Sequence, residues 1–285
     1  MALDAVMRIT VIQMNQGSDK AANIAQARAL IDAAIAADRP DLISLPETWT
    51  NLGGGREARE AAAETLPEPG ATGGPAYEFL REVARGAGVN IHGGSMIERG
   101  PEKLFNTTIV FDRTGTEIAR YRKIHLFDIV GPDGTGYRES ALYGAGDRLV
   151  TCKLDNVTLG LTICYDMRFA EQYIALRRMG AELILVPSNF TAQTGKDHWE
   201  ALLRARAIES QCWIAAAASH GGYEERGATR FVHGHSLIAD PWGHVVARAS
   251  DGRGWASARM DAAITARVRR DMPVLEHRDA RQLPL

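Results

Sequence analysis

Cysteine is scarce in this 285-residue chain, three residues in all (Cys152, Cys164 and Cys212), and the number is odd. With no CxxC pair and no His/Cys cluster at zinc-ligand spacing, neither a disulfide framework nor a structural metal is expected, and a reducing cytoplasm is the default setting. Long apolar runs are missing too. The longest, such as WIAAAA at 213–218, fall far short of the ~20 residues that cross a bilayer. The N-terminal stretch carries Asp4 and no basic segment ahead of an apolar one, so it does not read as a secretory signal. Neither sign of charge dominates: 33 Lys+Arg face 35 Asp+Glu, which leaves no electrostatic footprint for nucleic acid or an anionic membrane. No Walker A and no GxGxxG after a strand is present, so nucleotide binding has no support. What remains is a chain of ordinary globular composition, 45% hydrophobic and 24% charged, which excludes disorder and collagen-like structure. At this length folding removes roughly 75% of the extended-chain surface from water, enough for one large core.

Short β-rich runs alternate with longer helical patterns throughout. Strands are expected near 8–14, 41–45, 89–97, 105–111, 158–164, 182–186, 212–219, 235–239, 244–249 and 254–260. Helices are expected near 20–37, 74–86, 169–179, 196–211 and 261–270. No Pro/Ser-rich linker, charge block or fixed-period repeat interrupts the series, so 1–285 reads as one domain with a C-terminal tail from about 272. Runs such as LTIC and LILV are apolar on both faces, whereas HVVARAS and WASARMD alternate like antiparallel hairpin strands. A layered α/β fold with mixed sheets follows. The longest stretch without periodicity, 126–147, reads as an active-site loop or lid.

In open α/β architectures reactive groups gather beyond the carboxyl ends of strands. Three residues stand there. Glu47 closes DLISLPE behind Pro46, which cannot extend a ladder; Cys164 closes VTLGLTIC; Lys123 closes the more polar TEIARYRK. Each has a plainer alternative. Free cysteines mostly serve as small core hydrophobes, the reading adopted for Cys152 and Cys212, and Glu47 and Lys123 also suit a solvated loop or a structural ion pair. Separations of 76 and 41 residues do not by themselves bring the three together.

The segments LPETW, YRKIHLFD and GLTICYDMRF, in this order and at this spacing, resemble the three signature segments of the nitrilase superfamily, the carbon-nitrogen hydrolases. The resemblance extends from MRITVIQMN to MPVLEHR. It implies a four-layer α-β-β-α sandwich and a cysteine nucleophile (Cys164) with a glutamate base (Glu47) and a lysine (Lys123), without metal or cofactor. A second glutamate, implied between lysine and cysteine, falls on Glu139 in YRES, inside the aperiodic stretch. Lys123 and the backbone N–H of Tyr165 would then hold the oxyanion, each donor contributing ~3–4 kcal/mol. Arg168 offers a guanidinium fork for a substrate carboxylate, unless it is a helix-surface residue. Thr194 offers a hydroxyl, unless it is the N-cap of the helix near 196.

CYDMRF, as against the Cys-Trp-Glu of true nitrilases, resembles the amidase branch that includes omega-amidases and deaminated-glutathione amidases. That implies hydrolysis of a small carboxylate-bearing amide to an acid and ammonia through a thioester. Deaminated glutathione is the first choice of substrate, with 2-oxoglutaramate or 2-oxosuccinamate, or an N-carbamoyl compound, as alternatives. A silent binding scaffold and a thiol redox protein are the competing classes, and four intact reactive residues argue against the first. The helices near 169–179 and 196–211 carry more apolar surface than one face needs, which with the resemblance implies a homodimer or larger even oligomer. His233 and His235 lack carboxylate or cysteine partners at ligand spacing and are read as structural, and His125 as support beside Lys123.

Overall fold

The computed structural model describes residues 6–131, 134 and 136–280. Its body is two sheets packed face to face, each covered outside by helices, in the α-β-β-α order that the resemblance implied. Strand alternation produces this layering. In Val6–Gln13, Met7, Ile9 and Val11 face a core shared with Leu159, Leu161, Leu183 and Leu185 of the second sheet. Ile12 and Met14, on the opposite face, join the helices Lys20–Asp38 and Pro75–Ala87 instead. Lys20–Asp38 starts where Asp19 accepts a hydrogen bond from the N–H of Ala22, and buries a stripe of Asn23, Ala27, Ile31 and Ala34. On the other side Ala170–Arg178 and Ala192–Ser210 cover the second sheet through Tyr173, Leu176, Trp199, Leu203 and Ala207.

The first sheet runs Gly254–Asp261, Val6–Gln13, Leu42–Ser44, Asn90–His92, Leu104–Phe111, Met96–Arg99, with Glu117–Arg122 and Tyr143–Gly144 also paired to Leu104–Phe111. The second runs Thr151–Leu154, Val157–Leu161, Leu183–Leu185, Trp213–Ala216, Leu237–Ala239, Val245–Arg248. Parallel and antiparallel pairs occur in both, so the sheets are mixed as expected.

Several boundaries depart from the sequence reading for identifiable reasons. The strand expected at 89–97 is broken at Gly93 and Gly94, and its halves Asn90–His92 and Met96–Arg99 both pair with Leu104–Phe111. Gly94 has φ +56°, and a Cβ there would lie 2.1 Å from the carbonyl oxygen of Pro46, so only glycine permits the contact. The last two alternating strands are antiparallel, but not to each other: Val245–Arg248 pairs with Leu237–Ala239, whereas Gly254–Asp261 crosses to the first sheet beside Val6–Gln13. His235 precedes the strand Leu237–Ala239 in a left-handed conformation rather than lying within it.

Two segments without recognisable periodicity are also regular. NLGGGREARE contains the helix Gly55–Ala62, and GGYEERGATRF lies in a hairpin of His220–Glu225 with Ala228–His233. They meet through a bidentate Arg59–Glu225 pair with N···O distances of 3.2 and 3.0 Å. The aperiodic stretch holds a small hairpin, Asp128–Val130 with Gly136–Arg138, followed by a 3-10 turn at Glu139–Ala141. Of the tail expected from about 272, Val274–Ala280 is a helix, and 281–285 lie outside the described residues. No helix among the described residues is long and apolar enough to cross a membrane.

Candidate active site

The carboxyl ends of the two sheets converge on one buried cluster. Glu47, Lys123 and Cys164 are 4%, 2% and 7% exposed, so the solvated-loop alternative fails for Glu47 and Lys123. Each is held by the way its strand ends.

Glu47 lies just beyond Leu42–Ser44, in a loop moulded against the Gly93–Gly94 break. The N–H of Ser95 donates to Pro46 O, the N–H of Thr48 to Ser95 Oγ, and the N–H of Trp49 to Ser95 O. Lys123 directly follows Glu117–Arg122 and is fixed at its backbone by Asn106 O, which accepts from its N–H, and by Gly146 N–H, which donates to its carbonyl. Cys164 lies three residues beyond Val157–Leu161. Its N–H donates to Pro187 O, and its φ of +47° turns the chain sharply into the 3-10 helix Cys164–Arg168. For a non-glycine residue this conformation is strained, and it places the thiol at a corner rather than along the strand.

Lys123 Nζ donates to Glu47 Oε1 at 3.0 Å and to Glu139 Oε2 at 2.9 Å, so one ammonium bridges two carboxylates. It also reaches Glu139 Oε1 at 3.2 Å, so all three N–H donors of the ammonium are engaged, the longest on Glu139. Glu139, at the root of the small hairpin, also accepts from the N–H of Phe127 at 2.6 Å. Glu47 is anchored on its other side: Oε2 accepts from Asn189 N–H at 2.8 Å, and Oε1 from Asn106 Nδ2 at 2.8 Å. The predicted Glu47, Lys123, Glu139 and Cys164 therefore form one constellation.

Electrostatics within it are directional. Burial, which opposes the charged form, is outweighed by the carboxylates of Glu139 and Glu47, so Lys123 holds its proton well above the usual lysine range. For Cys164, burial and then the Glu47 carboxylate push the thiol pKa well up, and the Lys123 ammonium and Asn189 N–H offset only part of this. The resting sulfur is thus a neutral thiol beside a carboxylate. Its proton has an acceptor in Glu47.

Several residues of the cluster escape a sequence reading. Asp166 is fully buried and binds four donors: the N–H of Ile163 at 2.9 Å, the Tyr121 hydroxyl at 2.6 Å, and the N–H and Nδ1 of His125 at 3.0 and 2.8 Å. It thereby ties the Cys164 turn to the strand end that carries Lys123. His125 supports the site through this carboxylate, with its ring stacked on Phe169. Asn106 and Asn189 orient Glu47. The strand-end rule that found Cys164 applies equally to Asn189 after LILVPS, whereas Asn106 is a polar residue inside FNTTIVF and carries no local signal.

A cavity of about 400 Å³ opens over the cluster, bordered by both hairpins and by Arg56 and Arg59 of Gly55–Ala62. Arg168 and Thr194 line it. Arg168 is not a helix-surface residue: it ends the 3-10 helix with its guanidinium over the Tyr165 and Phe190 rings. Thr194 is not the N-cap. The cap is Thr191, whose side chain accepts from Thr194 N–H, and the helix begins at Ala192. The Tyr165 N–H lies in the first turn of its helix, where donors lack intrahelical partners. Cys212 is buried in the core, whereas Cys152 is half-buried at its edge.

Residues 8–270 match the family model for carbon-nitrogen hydrolase, and the chain belongs to that family. Several of its relatives are called amidases. A deaminated glutathione amidase of Synechocystis is 39% identical over 272 residues, covering 94% of this chain and 96% of its own. The human protein of the same name is 38% identical over 276 residues, covering 95% of this chain and 81% of its own. Among solved structures, Nit3 of Saccharomyces cerevisiae, a member of branch 10 of the nitrilase superfamily, has a TM-score of 0.84 at 28% identity and 94% coverage of both chains.

Proposed function

We propose that the protein is an amidase that hydrolyses a small carboxylate-bearing amide through a thioester on Cys164. The observation that carries this reading is the bridging of Glu47 and Glu139 by Lys123 beside a neutral, buried thiol. In acylation, Glu47 takes the thiol proton as sulfur attacks the amide carbon. The oxygen gains negative charge and is held by the N–H of Tyr165 and by the N–H of Lys123 that turns to it from its longer contact with Glu139 Oε1. The C–N bond then breaks as Glu47 passes the thiol proton to the departing amine, which leaves Glu47 a carboxylate again, and Glu139 holds Lys123 and helps position that nitrogen. In deacylation Glu47 takes a proton from water, which attacks the thioester and releases the acid and the free thiol.

Arg168 binds a carboxylate on the acyl portion and Thr194 adds a hydroxyl contact. Deaminated glutathione is the preferred substrate, supported by the names of the relatives. The sequence-based expectation of ammonia as the second product needs correction for that substrate. Its amides are secondary, so its cleavage releases an amine, and ammonia arises only from primary amides such as 2-oxoglutaramate. The test is a kinetic comparison of deaminated glutathione, 2-oxoglutaramate and an N-carbamoyl amino acid. We expect kcat/KM for the first to exceed the others by about tenfold or more, the scale of one well-placed polar contact. Equal or lower values would remove this substrate assignment.

The protein works as a homodimer in a reducing cytoplasm, which keeps Cys164 a free thiol. Exposed Met179 and Ile208, at the ends of Ala170–Arg178 and Ala192–Ser210, and nearby Trp242 beside Gly243 supply an apolar surface for a second copy. Sedimentation at micromolar concentration is expected to give twice the 31.0 kDa chain mass; a clean monomer would exclude the dimer.

A further inference from the structure

Among the described residues, the cavity is lined by seven cationic side chains and three carboxylates. Most of this charge is locally balanced. Lys123 lies between Glu47 and Glu139, Arg59 is held by Glu225, Arg56 by Glu60, and Arg226 approaches Glu225 at 3.8 Å. Arg138 stands across its hairpin from Asp128. Among the described residues, Arg168 and Arg230 alone of the seven have no carboxylate against them. Each rests on an aromatic face instead, Arg168 at 5.7 Å from the Tyr165 ring centre and Arg230 at 5.4 Å from that of Tyr137.

The two are ends of one continuous wall. Tyr137 packs on Phe127 at 5.1 Å and Phe127 on Tyr165 at 5.1 Å, so the order along the cavity is Arg230, Tyr137, Phe127, Tyr165, Arg168. Arg168 is four residues from the nucleophile and lies 3.4 Å from His198 Nδ1. Arg230 lies on the hairpin Ala228–His233 between exposed Thr229 and Phe231, at the other end of the wall. In a thioester mechanism the amine departs while the acyl group stays bonded to sulfur. An acyl group held at Arg168 places the departing amine towards the Arg230 end.

We propose that Arg230 is a specificity-determining residue that binds a carboxylate on the departing amine. The site then selects amides that are anionic on both sides of the scissile bond, one charge on Arg168 and the other on Arg230. A guanidinium resting over a ring keeps its planar donor fork for a bidentate carboxylate, which a flexible lysine lacks. This rests on the amidase reading above and deepens it.

The test uses the full-length protein and three amides: deaminated glutathione, its analogue with the terminal glycine carboxylate converted to carboxamide, and 2-oxoglutaramate, whose leaving group is ammonia. For the wild type, KM for the amidated analogue is expected to be about tenfold above that for deaminated glutathione, the effect of one charge-assisted contact. In Arg230→Met the ratio of kcat/KM for deaminated glutathione to that for 2-oxoglutaramate is expected to fall about tenfold, through KM, and the penalty for amidation to disappear. Arg230→Lys should recover part of the ratio. An unmoved ratio, or an amidation penalty that persists in Arg230→Met, overturns the role of Arg230 while leaving the amidase standing. A wild type that hydrolyses none of the three overturns both.

Discussion

Replacing Cys164 with alanine is expected to lower turnover by about 10⁴-fold or more, the scale seen when a nucleophile acting as part of a unit is removed. The geometry gives this variant a clean interpretation. The thiol is buried at a corner where the backbone is fixed by Pro187 and by the Asp166 network, none of which uses the sulfur. Alanine leaves these hydrogen bonds in place, so thermal unfolding should shift little while activity disappears. Intact-protein mass spectrometry then provides the second readout. With a slowly hydrolysed amide the wild type should gain the mass of the acyl group and the Cys164→Ala variant should not. Turnover that survives the substitution would rule out a thioester at this position.

The second large effect is expected from Glu47→Gln, a loss of about 10³- to 10⁴-fold in kcat, within the range for a general base. The thiol is held neutral by burial and by Glu47, so without this acceptor its proton has no nearby destination. The deficit extends to both half-reactions, because the same carboxylate takes a proton from water when the thioester is cleaved. The amide is nearly isosteric but wrongly polarised. Glu47 accepts from Lys123 and Asn106 at Oε1 and from Asn189 N–H at Oε2. Whichever way glutamine turns, its NH₂ meets a donor, which costs about 1–3 kcal/mol and displaces the group. Pre-steady-state measurement with substrate in excess should therefore show no burst of amine. A burst followed by slow turnover would confine Glu47 to deacylation and contradict its role in forming the nucleophile.

The chain makes some of these parts visible and conceals others, and the division has a physical basis. Cys164 and Glu47 follow short apolar runs that can only be buried strands, and such runs end where polar chemistry begins. Glu139 is located through the family resemblance and the absence of periodicity around it, although that stretch is a regular hairpin too short and too exposed to show alternation. The helix Gly55–Ala62 is hidden because three glycines open it and only Ala62 is buried. The first of those glycines is required by the neighbour: Gly53 has φ +89°, and a Cβ there would sit 2.2 Å from Glu224 O on the other hairpin. Contacts between segments 170 residues apart leave no local trace. Asp166 illustrates the same limit. Its sequence neighbours show a charged residue after a cysteine, and only the fold shows Tyr121 and His125 closing around it.

That carboxylate has a consequence for a chain that is only partly folded. Lys123 belongs to the first sheet and Cys164 to the second, and Asp166 is the buried clasp between their ends. A partly unfolded chain with one sheet formed has a thiol and a lysine but no shared geometry, and the thiol has no carboxylate beside it to take its proton. Hydrolytic competence therefore requires both sheets in place at once, and a change that loosens their contact at Asp166 reaches the reaction without touching any residue that meets the substrate.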